Sequence, residues 1–577
     1  MQELQSNSNR KVGVWIKDAL SIAKPYWQSD QRNKSIVLIT LVVVFNLLMI
    51  ATSVVLNKWY NIFYDQLQAY DKAGAFHSML LFCGIAFFAI CFAVGAYYFR
   101  KILEIRWRSW LTKYYIDNWM AYKAYYKTKF LTQISDNPDQ RISEDINSFI
   151  VLFLQLSLGL IDSVVTLISF VTILWGLSGI LSFTLFGHPI NFHGYLVWFA
   201  ALYAGVGTYI TFRIGKPLIR LDFQQQLYEA DFRFGLMKVR ENSENIALYS
   251  GEAKESQTLI NKFNLVLNNF VAIIYRQLKL NLFAVGYNQI AIIFPFIVSL
   301  PRYFAKAIKL GGLMQIASAF GRVQEALSYF VSAYTSLAGF RAVMDRLQGF
   351  NAVLDHAREL NKIERIASAG HYLYLRDLHL ELPDGKVLVP NMSLELESGD
   401  RLWVHGRSGS GKTTLFRAIS GIWGFGSGMV FTDTRKKMLF VTQKPYLPMG
   451  TLKEVIFYPS IDINRDDEDI SMFMRNFELE FLAPYLNTYN DWDKILSLGE
   501  QQKIAFLRTV LNQPDIVCLD EATSALDEES EDLMYELITG FLPKAAIISL
   551  GHRTNIKKWH NRELDFNQFD SRYHAKI

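Results

Sequence analysis

The chain has 577 residues, 51% of them hydrophobic, with a positive mean hydropathy. That is too long and too apolar for one soluble domain, so at least two domains are expected, one of them in a membrane. A formal net charge of +5 without a clustered basic stripe excludes nucleic acid as a partner. Three cysteines without metal-ligand spacing, Cys83, Cys91 and Cys518, read as buried reduced thiols.

Met1 to Lys34 is polar and basic, with no signal-peptide pattern, and is expected to stay uncleaved as a cytosolic segment, residues 1–34. Six membrane-spanning helices are expected within residues 35–340. Ser35 to Leu56 and Ser78 to Phe99 are uncharged 22-residue runs, each about 33 Å long as a helix and enough to cross a bilayer. The third lies within Ser148 to Phe186 and carries only Asp162. The fourth is Gly194 to Phe212, the fifth Asn281 to Leu300 with Pro295 as a kink, and the sixth roughly Leu310 to Tyr334, the weakest by hydropathy because of Arg322 and Glu325.

Lys and Arg number six before the first span, two in 57–77, nine in 100–147, none in 187–193, ten in 213–280 and three in 301–309. Basic loops lie on the cytoplasmic side, so both termini are expected there. The two large inner loops contain long stretches free of Gly and Pro, notably Ala96 to Asn137, and read as helices running out of the membrane. Asp139, Gln140 and Arg141, after a helix-breaking Pro138, are expected at the turn of the first inner loop, as a coupling element touching the nucleotide domain near Gln443. Polar residues inside spans, Asn46, Gln155, Asp162, Asn288, Gln289, Gln315, Arg322 and Glu325, are candidates to line a wet cavity or to join helices. Asp162 is also a candidate proton site.

Residues 341–368 read as a charged helical linker, and 369–577 as an α/β P-loop domain. Within it, Gly406, Ser408, Gly409, Ser410, Gly411, Lys412 and Thr413 fit the pattern G-x-x-x-x-G-K-[ST] between a short apolar strand and a helix beginning at Thr414. Glycines let backbone N–H groups close around phosphate oxygens, Lys412 reaches the β and γ phosphates, and Thr413 ligates Mg²⁺. Asp515 to Glu521 is an apolar strand ending in two carboxylates. Asp520 is suited to the Mg²⁺ shell and Glu521 to polarising an attacking water. Gln443 and His552 each follow a further apolar strand, and LSLGE (Leu496 to Glu500) and SALD (Ser524 to Asp527) flank the carboxylate pair. Asp462 to Asp469 reads as a solvated acidic loop.

This ordered set resembles the nucleotide-binding domain of ABC transporters. The resemblance implies ATP and Mg²⁺ as ligands and a head-to-tail dimer in which each ATP lies between the P-loop of one subunit and Ser497 and Gly499 of the other. It implies that His552 contacts the γ-phosphate and that Gln443 senses Mg²⁺ and the membrane domain together. Two departures are visible: LSLGE stands where LSGGQ is usual, and Leu382 falls near the position where relatives place a Tyr on the adenine.

In the membrane half, Asn57 to Gln68, Asn137 to Asp145 and Glu244 to Gly251 resemble the domain shared by the SbmA/BacA-like bacterial peptide-uptake family and the peroxisomal fatty-acyl half-transporters of ABC subfamily D. An exporter-type ABC fold follows from the likeness, as do a bacterial inner (cytoplasmic) membrane setting and an ATPase driving uptake of a large hydrophilic or amphipathic cargo of the cobalamin, bleomycin or antimicrobial-peptide type. One membrane half cannot supply two composite ATP sites, and every ATPase element is present, so a homodimer is favoured. Acyl-CoA or lipid transport, and an ATP-gated channel or membrane sensor, are the alternatives.

Overall fold

A computed structural model describes residues 12–130, 137–185, 188–329, 333–360, 363–368, 372–460 and 465–569. The chain divides into two compact units: residues 1–117 with 136–351, and residues 118–135 with 352–577.

The first unit is helical. Among the described residues five helical stretches are long and apolar enough to cross a membrane: Arg32–Gln68, Lys72–Phe130, Pro138–Ser178, Tyr195–Glu241 and Glu252–Phe304. The sixth expected element, Leu310–Leu327, is 18 residues long and amphipathic. It turns Leu313, Ile316, Ala319, Phe320 and Val323 inward, and its charged pair Arg322–Glu325 stands on the other side. Its buried face joins Phe170, Leu174, Tyr195, Leu196 and Ala200 in one apolar core. Hydropathy alone understates it because its apolar residues are gathered on one buried face while Arg322 and Glu325 lower the mean. Residues 330–332 of this expected span lie outside the described residues.

Several polar side chains inside this unit join helices, whereas Asn46, Asp162, Arg322 and Glu325 line a cavity. Asn57 Nδ2 donates to Gln315 O at 3.1 Å and Asn61 Nδ2 to Gln315 Oε1 at 2.9 Å. Arg302 Nη1 donates to Leu177 O and Ser178 O at 2.8 and 2.6 Å, satisfying carbonyls that the end of Ile146–Ser178 leaves free. The third span therefore stops at Gly179, with φ +64°, and an antiparallel hairpin, Ile180–Leu185 with His188–His193, follows in place of further helix. The cysteine expectation fails in part. Cys518 is buried, whereas Cys83 and Cys91 are exposed, because the helix Lys72–Met120 turns much of its apolar surface outward.

Arg141 is turned inward. It is buried against Asp145, whose carboxylate also accepts Arg346 Nη2 at 2.6 Å and Nε at 3.0 Å. Residues 118–130 of the same loop belong to the second unit. The long helix ends at Met120, where Tyr122 and Lys123 are left-handed (φ 53° and 57°), and a short turn of helix, Ala124–Lys127, follows. Lys123 Nζ then donates to Ser420 O at 2.7 Å, and the Phe130 ring meets Trp423 and Phe425 at 5.0 and 5.8 Å.

The rest of the second unit holds two larger sheets, besides a two-stranded pairing of Gly450–Thr451 with Tyr489–Asn490. One has four strands in the order Glu364–Ala367, Gly426–Thr432, Leu373–Glu381 and Val387–Leu396. The other is parallel, in the order Arg562–Asp565, Arg401–His405, Ala546–Leu550, Ile516–Asp520 and Met438–Val441. Its central strands are apolar on both faces, as a sheet covered on both sides requires. The acidic stretch 462–469, expected to be a loop, is corrected in its described part, residues 462–464 lying outside the described residues. Helix Asp467–Asn476 begins inside it, with Asp467, Glu468 and Asp469 in its first turn, where carboxylates meet the positive end of the helix dipole.

Candidate functional site

Parallel pairing decides where the chemistry gathers. Val404, Leu550 and Asp520 are register partners across three neighbouring strands, and Val441 pairs with Leu519 on the fourth. Each strand therefore delivers its next residues to one edge: Gly406 two positions beyond Val404, His552 two beyond Leu550, Glu521 one beyond Asp520 and Gln443 two beyond Val441. In open parallel sheets this carboxyl edge is where ligands bind.

The loop from Gly406 to Gly411 turns on three glycines with positive φ, 150° at Gly406, 77° at Gly409 and 104° at Gly411. Helix Lys412–Ile419 starts directly after it and aims its free N–H groups back at the loop. Asn567 Oδ1 accepts Arg407 N at 2.9 Å and braces the loop from outside. Ser408 is exposed, whereas Ser410 is buried with a hydroxyl that has no hydrogen-bond partner among the described residues. An orphaned hydroxyl beside a glycine cradle fits a phosphate ligand. Lys412 and Thr414 are both buried. The Lys412 ammonium donates to Gly406 O and Arg407 O at 2.7 and 2.8 Å, and its burial pushes its pKa down against the pull of Glu521 and Asp520.

Thr413 Oγ1 donates to Asp520 Oδ1 at 3.4 Å. Burial raises the Asp520 pKa, opposed by the Thr413 hydroxyl. A hydroxyl and a carboxylate at this spacing form a hard oxygen donor set that suits Mg²⁺. Glu521 is left-handed at φ 48°, held there by its N–H on Leu550 O at 3.0 Å. Its Oε1 lies 3.2 Å from His552 Nε2, and that nitrogen is 3.5 Å from Lys412 Nζ. The structure thus brings Lys412, Thr413, Asp520, Glu521 and His552 together.

Gln443 has an exposed side chain, and its main-chain oxygen accepts Gln502 Nε2 at 2.7 Å. Gln502 is fully buried and also binds Ser524 Oγ and Ala525 N. Sequence reasoning passed over it because a glutamine inside a helix carries no signal until its neighbours are known. Arg553, beside His552, donates to Leu526 O and Ser524 O and holds the same turn from the other side.

Ser497 is the N-cap of helix Leu498–Asn512. Its hydroxyl accepts Glu500 N, and the Glu500 carboxylate in turn accepts Ser497 N and Oγ, both at 2.7 Å. The glutamate in LSLGE therefore closes a capping box. Gly499 lies against Ala525 O, and no hydrogen bond among the described residues joins Ser497 or Gly499 to the P-loop of the same chain. Leu382 closes the base of the turn between Leu373–Glu381 and Val387–Leu396, its N–H on Lys386 O at 2.8 Å, and Leu388 stands beside Gly411. One aliphatic side chain, Leu388, thus flanks the P-loop there.

Residues 22–304 match the family described as ABC transporter transmembrane region 2, and residues 389–524 match the ABC transporter family. The chain is 36% identical to an uncharacterized ABC transporter ATP-binding protein of Haemophilus influenzae, over 95% of this chain and 92% of that one. It is 33% identical to the inner membrane ABC transporter ATP-binding protein YddA of Escherichia coli, over 94% and 96%. It is 26% identical to the lysosomal cobalamin transporter ABCD4 of Homo sapiens, over 80% of each. A bacterial Atm1-family ABC exporter solved with ATP bound shares the fold, with a TM-score of 0.72 at 16% identity over 93% and 94% of the chains. The chain belongs to the ABC transporter family, as a multi-pass membrane protein carrying its membrane and ATP-binding halves on one polypeptide.

Proposed function

We propose that two copies of this chain form an ATP-driven transporter that moves a large amphipathic cargo across the bacterial inner membrane, with both termini in the cytoplasm. The supporting observation is the convergence of Lys412, Thr413, Asp520, Glu521 and His552 at one sheet edge. Lys412 binds the β and γ phosphates, Glu521 orients the attacking water, and His552, beside Glu521, reaches the γ-phosphate. The P-loop N–H groups from Gly406 to Thr413 hold the phosphate oxygens in place. Thr413, Asp520 and Gln443 would hold Mg²⁺, which when bound neutralises phosphate charge. Ser497 and Gly499 sit on a capped helix N-terminus, and a second copy presenting that end completes the phosphate cage.

The cargo class is supported by the polar residues between the membrane helices and by the likeness to a protein named as a cobalamin transporter. The test is uptake of radiolabelled cobalamin into proteoliposomes with ATP supplied on one known side. Accumulation against a gradient, lost in Lys412→Ala and Glu521→Gln, is the expected result, and the side that accumulates gives the direction. Acyl-CoA stimulating the ATPase where cobalamin does not would replace the cargo class. Leakage down a gradient without accumulation would replace pumping by a channel.

A further inference from the structure

Asp162 is the central residue of the 33-residue helix Ile146–Ser178. It lines a cavity of about 360 Å³ with Asn46 and Ser53 of Arg32–Gln68, Ser163 of its own helix, and Arg322 and Glu325 of Leu310–Leu327. Its size falls in the range of sites that enclose a small ligand, roughly 300–1,000 Å³. Gly159 makes room for one wall. A Cβ there would stand 2.8 Å from Tyr329 Oη, and that hydroxyl is committed to Leu156 O at 2.9 Å.

The charges in this cavity do not cancel. Arg322 Nη1 is 3.3 Å from Glu325 Oε2, so the guanidinium already has its counter-ion. Asp162 Oδ1 is shielded from solvent and makes no hydrogen bond among the described residues. A carboxylate midway along a membrane helix without such a partner is costly, and a cation brought to it removes that cost. An anion would find Arg322, the one positive group among the described lining residues, engaged. A neutral molecule such as an alcohol can donate a hydrogen bond to the Asp162 carboxylate but leaves its charge uncompensated.

We propose that this cavity is a binding subsite for a cationic head group, a primary ammonium or guanidinium carried on an otherwise apolar molecule, with Asp162 as its counter-ion. Its place as a cargo subsite rests on the transporter reading above, whereas the binding itself does not.

The experiment uses the full chain in nanodiscs and two radiolabelled probes that differ only in charge, 4-phenylbutylamine and 4-phenylbutanol, with empty nanodiscs subtracted. Saturable binding of the amine is expected, at least about tenfold tighter than the alcohol. Asp162→Asn should lose at least about tenfold in amine affinity and Asp162→Glu should recover most of it, with basal ATPase activity kept in both as the sign of an intact fold. Glu325→Gln, which frees Arg322 to repel the amine, should weaken binding and provides a reading even if Asp162→Asn fails to fold. No saturable amine binding, equal binding of the alcohol, or unchanged affinity in a folded Asp162→Asn or in Glu325→Gln each overturns the subsite. Absence of ATPase activity in the unsubstituted chain would count against the proposed function and leave the binding result to be read by itself.

Discussion

The buried side-chain amide of Gln502 donates to the main-chain oxygen of Gln443 at 2.7 Å. It also donates to Ser524 Oγ at 3.1 Å, and its own oxygen accepts Ala525 N at 3.0 Å. One side chain thus ties the loop that follows strand Met438–Val441 to the turn that follows the carboxylate pair. Gln502→Leu removes every one of these bonds and leaves their partners unsatisfied, so a loss of at least about 2 kcal/mol is expected in denaturation of the α/β unit. ATP hydrolysis should slow by about tenfold or more through misplacement of Gln443 and the Ser524 turn, with ATP binding less affected. A normal turnover rate in a stably folded Gln502→Leu would refute the linkage.

Glu500 tests whether the departure from the usual signature is structural. In a capping box Glu and Gln are interchangeable, so Glu500→Gln should change stability by less than about 0.5 kcal/mol. Ser497→Ala loses the cap itself and should cost about 1 kcal/mol. Thermal melting of the three chains side by side reads both. A large cost for Glu500→Gln would mean that the negative charge at this helix end matters more than the hydrogen bonds.

Phe130 and Lys123 bind residues 118–130 into the α/β unit. Phe130→Ala removes two edge-to-face ring contacts and should cost about 1–3 kcal/mol. Lys123→Met keeps the stem but loses the bond to Ser420 O. The Lys123 pKa is pushed down by burial, with nearby Arg365 and Lys127 adding to the effect, so the neutral side chain should be tolerated better than the loss of the ring. Calorimetry of the intact protein distinguishes the two, and equal costs would count against the ring contacts as the main anchor.

His560 gives the α/β unit a pH dependence with a definite sign. Its ring lies between Ile556 O and Ser549 Oγ, both at 2.8 Å, and burial holds its pKa below the usual value of 6.5. Between 6.5 and the lowered folded value the unfolded chain takes up a proton that the folded chain refuses. Stability is therefore full above about pH 6.5 and declines as pH falls through that window. Urea denaturation from pH 7.5 to 5.5 should show the decline, and His560→Gln should flatten it. An unchanged slope in the variant would assign the effect to another group.

Much of the ATP site was legible in the sequence because its signals are local. A glycine loop between a strand and a helix, or two carboxylates at a strand end, announce themselves within a few residues. Gln502 and Arg553 were not legible, since their roles consist of hydrogen bonds to main-chain groups far away in the chain. The end of the third span at Gly179 was hidden for the same reason, because Arg302, which binds the last carbonyls, is more than a hundred residues downstream. The acidic stretch misled by composition. Asp467, Glu468 and Asp469 serve the start of a helix, Asp467–Asn476, rather than a solvated loop.

By itself the sequence determined that apolar helices and a P-loop domain share one chain, because hydropathy and phosphate-binding spacing are properties of short segments. Only the tertiary structure decided which strand ends meet, since parallel register sets Val404, Leu550 and Asp520 level with one another. It also decided that Arg141 turns inward to Asp145 and that Asp162 shares a cavity with Arg322 and Glu325. A charged side chain acquires its role from whichever partner packing brings within a few ångströms, and that partner is written elsewhere in the chain.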